Sequence, residues 1–360
     1  MITLFCIRPK GFNIGNDVIF LGMQHFLYEA FGQAVNLISL PATSRYESQQ
    51  VVAGLTAKTI YEINQYGHGV IVGGGNLYEN GELDVDLDAL KSLEVPLMLF
   101  SLSRGRVYNR QHKLVSRTDA MPDQVVLALN HRAEHSLARD CATDTYLQAI
   151  GCNHSQVSGC PTIFLDKIVE RLPRISSSDQ LGALISVRNP TLMNIPLQKQ
   201  SQVRGDILGI VEFLHSEGIE NVHLLCHDRR DIAFAASFAG IDYLYTDDVY
   251  TYLAWLRSCR LNISYRLHAT LPCLAFGVPT IKIGYDERGL SLMETLGLGI
   301  WSINMIDSVD VVSEVADRFW HLDVLKTLQG QVQPGWDQLY EVITTAFQKF
   351  AAAVLAYQGE

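Results

Sequence analysis

Short runs rich in β-branched residues alternate with amphipathic stretches along nearly the whole chain, and this alternation restricts the fold more than any other feature. Strands joined by helical crossovers pair in parallel, because a parallel pair needs a long connection to return to its starting edge. The first block predicts strands at Ile2–Ile7, Val35–Leu40, Gly69–Val72, Pro96–Leu102, Val125–Leu129 and Thr162–Phe164. Helices are expected between them at Asp17–Phe31, Glu47–Tyr66, Leu83–Ser92 and Ala142–Ile150. The polar stretch PRISSSD, Pro173 to Asp179, reads as a linker.

The alternation then resumes. Strands are predicted at Gly182–Val187, Asn221–Cys226, Asp242–Tyr245, Leu261–Tyr265, Thr280–Gly284 and Gly299–Ile303, and helices at Leu197–Glu217, Asp228–Phe238 and Val249–Arg257. At 360 residues two cores are expected, one in residues 1–175 and one in 176–330. Residues 331–360 carry Trp336, Leu339, Tyr340, Ile343, Phe347, Phe350, Val354 and Leu355 at spacings of three and four. They predict a long helix, Trp336 to Tyr357, with one apolar face to bury.

Charge and cysteine usage narrow the function classes. The net charge is −10 with Lys and Arg scattered along the chain, whereas a nucleic-acid groove needs clustered cations to displace counterions. Seven cysteines without a C-x-x-C pair, mostly inside apolar runs, read as small buried residues of a reducing cytosol. ITLFCI is too short for a signal core, and no apolar run reaches the roughly 18 residues that a spanning helix needs. A cytoplasmic protein is expected, with peripheral contact to a membrane-bound substrate left open.

Chemistry is expected at strand ends that feed helix starts, where backbone N–H groups and the helix dipole attract anions. Arg188 follows GALISV, His227 follows NVHLLC, and Arg266 and His268 follow LNISY, so all four stand past strands of the second block. Together they describe an electropositive pocket in an acidic chain, suited to a small phosphorylated or carboxylated ligand.

In the first block, RPKGFNIGND brings Asn13, Gly15 and Asp17 to a strand-to-helix turn. A turn and an N-cap account for Asp17, and the same position could serve sugar hydroxyls. Gly73, Gly74 and Gly75 end another strand, followed by Asn76. They match neither G-x-G-x-x-G nor a P-loop, which excludes a dinucleotide or nucleoside triphosphate assignment. His131 to His135 matches H-x-x-E-H, but polar sequence interrupts its helix and no third ligand is evident, so no metal site is assigned.

SYRLHATLPCLAFGVPTIKIGYD, the Asn-x-Gly loop before Asp17, the triple glycine, ARDCATDTYLQAIG, SGCPT and the strand ending in Arg188 occur in this order over almost the whole chain. As a set they resemble the polysaccharide pyruvyl transferase family. The resemblance implies a GT-B-like pair of facing Rossmann-like domains with parallel sheets, the first on the acceptor side and the second on the donor side. It also implies that the final helix can pack back on the first domain. The implied reaction moves pyruvate from phosphoenolpyruvate onto two hydroxyls of a sugar, in a polysaccharide or lipid-linked glycan precursor, and releases phosphate without a resident cofactor.

By position, Arg188, Arg266, Leu267, His268 and His227 fall on the donor side, with Arg266 and His268 as the catalytic pair. Asn13, Gly15, Asp17, Gly74, Gly75 and Asn76 fall on the acceptor side. Two departures from the family pattern, Gly-Asn-Asp at 15–17 and Tyr-Asp-Glu-Arg at 285–288, bear on the identity of the acceptor. Two other readings fit the same architecture, a nucleotide-sugar glycosyltransferase and a non-catalytic glycan-binding protein. The sugar, its hydroxyl pair and the oligomeric state are not set by the sequence.

Overall fold

The computed structural model describes residues 1–45, 52–175 and 181–359. Of the expected linker only Pro173 to Ile175 lies within them, and the helix expected from Glu47 begins outside them. Two parallel six-stranded sheets form the frame.

The first sheet has the order β2-β1-β3-β4-β7-β8. Its strands are β1 (Ile2–Arg8), β2 (Val35–Pro41), β3 (Gly69–Gly75), β4 (Leu97–Leu102), β7 (His135–Ala138) and β8 (Gln156–Val157), and an antiparallel pair, β5 (Val107–Tyr108) and β6 (Leu114–Val115), stands apart from it. The crossovers carry α1 (Gly15–Phe31), α2 (Ala57–Tyr66), α3 (Leu87–Leu90), α4 (Asp123–Arg132) and α5 (Cys141–Ala149).

The second sheet, β11-β10-β9-β12-β13-β14, comprises β9 (Ala183–Val187), β10 (Val222–Cys226), β11 (Tyr243–Leu244), β12 (Leu261–Ser264), β13 (Thr280–Gly284) and β14 (Ile303–Asn304). Its helices are α6 (Leu197–Ser216), α7 (Arg229–Ala235), α8 (Val249–Ser258), α9 (Leu267–Ala275), α10 (Glu287–Thr295) and α11 (Val311–Trp320). β3, β4, β9, β12 and β13 are buried at every residue, as expected of parallel strands covered on both faces.

Several segments differ from expectation. Val125–Leu129 lies in helix α4, with Pro122 at its N-cap and Val126, Leu129 and Asn130 buried at helical spacing. A short apolar run does not distinguish a buried strand from a helix, and the preceding proline decides here. Thr162–Phe164 belongs to a 3-10 helix, Pro161–Arg171, that opens on a proline. The helix expected over Leu83–Ser92 shrinks to α3 because the Asp86 side chain caps it, accepting from Asp88 N and Ala89 N. Gly299–Trp301 is a 3-10 turn before the short β14.

The tail helix α12 (Leu322–Gly359) starts a dozen or so residues before the expected Trp336 and runs through Pro334. It returns to the first sheet: the Phe347 ring lies 5.0 Å from Phe100 and 6.1 Å from Phe26, while Trp336 Nε1 donates to Leu296 O at 2.9 Å in the second half. The tail thus ties both halves together.

Candidate active site

The loops after β1, β3 and β7 face the carboxyl ends of β9, β10, β12 and β13 across a cleft of about 380 Å³. That volume falls in the roughly 300–1,000 Å³ range of small-ligand sites. The halves also touch around it. Ile14 N donates to His227 O at 3.0 Å, Asn13 bridges Asp228, and Ser291 Oγ donates to Asp140 Oδ1 at 3.2 Å.

The wall built by the second sheet concentrates cations. Arg188 leaves the end of β9 with Nη1 3.4 Å from Asp228 Oδ2 and 3.6 Å from Asp231 Oδ1. Arg266 is the N-cap of α9. Ser264 Oγ accepts from its N–H at 2.9 Å and donates to its carbonyl at 2.7 Å, and its Nη1 stands 3.9 Å from Asp231 Oδ2. Lys282, on β13, is buried, and its Nζ donates to Ile283 O at 2.6 Å. Burial, partly offset by Asp286, and the nearby Arg266 and Arg288 push its ammonium down to about 7.

His268 occupies the first turn of α9 with a non-helical ψ of 18°. Pro272, four residues on, has no N–H to return to the His268 carbonyl, and the Tyr252 hydroxyl donates there at 3.3 Å. The same hydroxyl meets His227 Nε2, so Tyr252 holds both histidine segments. Gly15 completes the fit, since a Cβ there would sit 2.7 Å from His268 Nδ1. Among the described residues His268 Nε2 and His227 Nδ1 have no hydrogen-bond partner. Burial first, and then the surrounding arginines, hold both imidazoles well below the usual histidine range. In the free protein His268 is therefore a neutral N–H donor or proton acceptor and not an imidazolium.

The opposite wall contributes Arg139, placed at the end of β7. It is only 3% exposed, Nε and Nη2 find no hydrogen-bond partner among the described residues, and Asp140 Oδ2 is 3.8 Å from Nε. A buried guanidinium with free donors is costly unless something anionic completes it. Arg288, from α10, crosses to this wall with Nη1 2.9 Å from Glu79 Oε1, and it also pairs with Asp286. Burial lifts Glu79 to about 7 in spite of Arg288.

The cleft gathers all five donor-side candidates, Arg188, His227, Arg266, Leu267 and His268, and three from the acceptor side, Asn13, Gly75 and Asn76. Gly15, Asp17 and Gly74 do not line it. Asp17 pairs with Arg8 at 2.8 Å, Gly15 packs against His268, and Gly74 (φ 71°) lets β3 approach Ile19 of α1. Arg139, Lys282, Glu82 and Arg288 also line the cleft, although the sequence reading assigned them no role. Lys282 has a legible signal, a lone cation inside the apolar strand TIKIG of a parallel sheet.

The H-x-x-E-H match dissolves. His131 ends α4, Ala133 is extended, and His135 begins β7. Among the described residues no group of three or more His, Cys, Asp or Glu is placed to hold a metal ion. No helix among them is long and apolar enough to cross a membrane.

A family model described as polysaccharide pyruvyl transferase matches residues 13–287, well over half of the chain. No curated protein matches it in sequence. Among solved structures it is similar to UDP-N-acetylglucosamine 2-epimerase from Rickettsia bellii, with TM-score 0.59 and 12% identity, covering 99% of this chain and 98% of that one. It is also similar to the Methanocaldococcus jannaschii UDP-GlcNAc 2-epimerase in complex with UDP-GlcNAc and UDP, with TM-score 0.54 and 13% identity over 87% and 91% of the two chains. At such identities the likeness speaks for the fold alone, which is GT-B.

Proposed function

The chain belongs to the polysaccharide pyruvyl transferase family, and on that premise we propose that it transfers the pyruvyl group of phosphoenolpyruvate to two hydroxyls of a sugar, in a polysaccharide or lipid-linked glycan precursor, forming a cyclic ketal and releasing phosphate. The observation that carries the donor half is Arg139, buried with unpaired donors, facing Arg188, Arg266 and Lys282 across one small cleft. Phosphoenolpyruvate carries a phosphate and a carboxylate. Planar guanidinium forks bind such groups two oxygens at a time, and fixed donors there need no reorganisation as charge shifts.

In this scheme Arg188 and Arg266 grip the donor from the second sheet and Arg139 closes on it from the first. His268 Nε2, without a hydrogen-bond partner among the described residues, meets the phosphate. Binding a dianion beside His268 raises its proton affinity, so the neutral imidazole can take up a proton and pass it to the departing phosphate. Leu267 and Tyr265 close the floor. The acceptor lies against Asn13, Gly75 and Asn76, where Phe12, 53% exposed, offers a ring for a sugar face. Phosphoenolpyruvate is a co-substrate, and the side chains supply the steps. The reaction is placed in the cytoplasm, at the inner face of the membrane when the acceptor is lipid-linked.

The test incubates the purified protein with phosphoenolpyruvate and methyl glycosides carrying free 4,6- or 3,4-hydroxyl pairs, reading phosphate and the ketal methyl signal together. Turnover with at least one glycoside is expected, and Arg266→Ala and His268→Ala each abolish it. Near-normal turnover in both variants would sink the donor-site assignment. In the same preparation phosphoenolpyruvate raises the melting temperature, and a rise with UDP but not with phosphoenolpyruvate favours a glycosyltransferase instead.

A further inference from the structure

We propose that Glu82 is the proton-transfer group of this cleft, giving a proton to C3 of phosphoenolpyruvate and recovering one from the attacking sugar hydroxyl. The proposal rests on the pyruvyl-transfer reading above and supplies the step that reading leaves without a residue.

The placement of Glu82 is built in. Asn80 (φ 66°) and Gly81 (φ 55°) form two successive left-handed positions that turn the chain after buried Glu79. Arg45 pins this turn. Its Nη1 donates to Asn80 O at 3.3 Å, and its guanidinium lies where a Cβ on Gly81 would meet Nη1 at 2.7 Å. Asparagine and glycine tolerate this backbone best, so the pair reads as a device for aiming the next residue. That residue, Glu82, lines the cleft with Arg139 and His268.

The other carboxylates around the cleft are committed. Asp119 is gripped by Arg117 at 2.8 Å, Asp286 by Arg288 and by Gly289 N at 3.0 Å, and Asp228 by Arg230. Glu79 holds Arg288 and the Gly105 amide. Among the described residues the Glu82 carboxylate has neither a hydrogen bond nor an ion pair. Burial raises its pKa while Arg288, Arg117 and Arg230 pull it back, so the group can hold a proton and also part with it. Rival donors fit less well. Lys282 is turned to the carbonyl of Ile283, and burial pushes the Tyr265 hydroxyl above its usual range.

The chemistry balances on this one group. Protonated Glu82 gives its proton to C3, converting the methylene to a methyl and leaving C2 electron-poor. The first hydroxyl oxygen bonds to C2 as its proton passes to the Glu82 carboxylate, which restores the acid. The second hydroxyl then bonds to C2 as the C2–O bond to phosphate breaks, and its proton passes by way of His268 to the departing phosphate.

The experiment compares wild type, Glu82→Gln and Glu82→Asp with phosphoenolpyruvate and the methyl glycoside panel, measuring kcat across pH, donor affinity by calorimetry and melting temperature. Glu82→Gln is expected to lower kcat by about 100-fold or more, the usual reach of general acid–base catalysis. Donor affinity and melting temperature stay as in wild type, the pH limb belonging to Glu82 disappears, and Glu82→Asp recovers part of kcat. Normal kcat in Glu82→Gln overturns the role. So does a fall in kcat matched by an equal loss of donor affinity, which marks a structural residue. A wild type that turns over no glycoside of the panel overturns the transfer reading itself, and the role of Glu82 with it.

Discussion

The two walls of the cleft obey opposite rules. On the second-sheet wall Arg188, Arg266 and Lys282 crowd around the neutral imidazoles of His227 and His268, with Asp228 and Asp231 behind the arginines and Asp286 near Lys282. On the first-sheet wall charges of both signs, Lys10, Glu82, the paired Arg117 and Asp119, and Arg139, alternate with amides and glycines on loops with left-handed turns at Gly75, Asn80 and Gly81, and most of these groups are more open to solvent. Like charges held together out of water oppose folding, so the rest of the fold offsets the first arrangement, and an anion bound there would relieve it. The second mixes both signs of charge and carries less of that strain.

The sharpest way to break this contrast is to remove a cation. Arg266→Met deletes a bidentate donor and also relieves Lys282 and His227, whose charged forms Arg266 disfavours. Loss of one partner of a buried charge pair costs binding about 2–5 kcal/mol, so a drop in kcat/KM of roughly 10²–10³-fold is expected. The melting temperature is expected to hold or rise, since Arg188 still faces Asp231 at 3.6 Å. If Arg266→Met unfolds the protein instead, the cations are structural and the contrast between the walls fails.

Next in size is Gly15→Ala, which acts across the walls. The new methyl would press on His268 Nδ1 from 2.7 Å, and the nearest escape moves the imidazole off its position under Tyr252. Overpacking of this kind costs about 1–3 kcal/mol. Activity should fall by at least tenfold, with a smaller loss of melting temperature than a core cavity would cause. An unchanged kcat would show that the position of His268 is not critical. Gly205, which meets nothing within 4 Å, provides the control, and Gly205→Ala should leave turnover unchanged.

How much of this was legible in sequence differs between the walls for a physical reason. Arg188, His227 and Arg266 each directly follow a short, mostly apolar run, with His268 two residues beyond Arg266, and a strand that ends in a charged or polar residue announces a sheet edge. Arg139 follows only His135–Ala138, a strand too short to show a period, and the VVLAL run before it drew the strand assignment to what is helix α4. Glu82 sits on a loop whose direction depends on two left-handed residues, and no periodicity encodes direction. Asp17 and Gly74 carry the right residue types at the right loops, yet side chains decide otherwise: Arg8 claims the carboxylate, and Ile19 takes the space beside the glycine.

The smallest effect expected is a pH dependence with opposite signs for binding and stability, and it comes from Lys282. Its folded pKa of about 7 lies below the ordinary lysine value of 10.5, so between those limits the unfolded chain holds more protons than the native one. Stability therefore rises with pH through that window, because the penalty of burying the ammonium is present in full below about 7 and is relieved as the proton is shed. Affinity for phosphoenolpyruvate moves the other way, since deprotonation removes a cation from the grip. Binding should weaken by up to about tenfold for each pH unit above 7, the limit for one linked proton. Lys282→Met flattens both trends, and comparing the two proteins cancels the ligand's own titration. Parallel trends in wild type and Lys282→Met between pH 6.5 and 9 would mean that Lys282 keeps its proton throughout, and that the second-sheet wall is less crowded than its geometry implies.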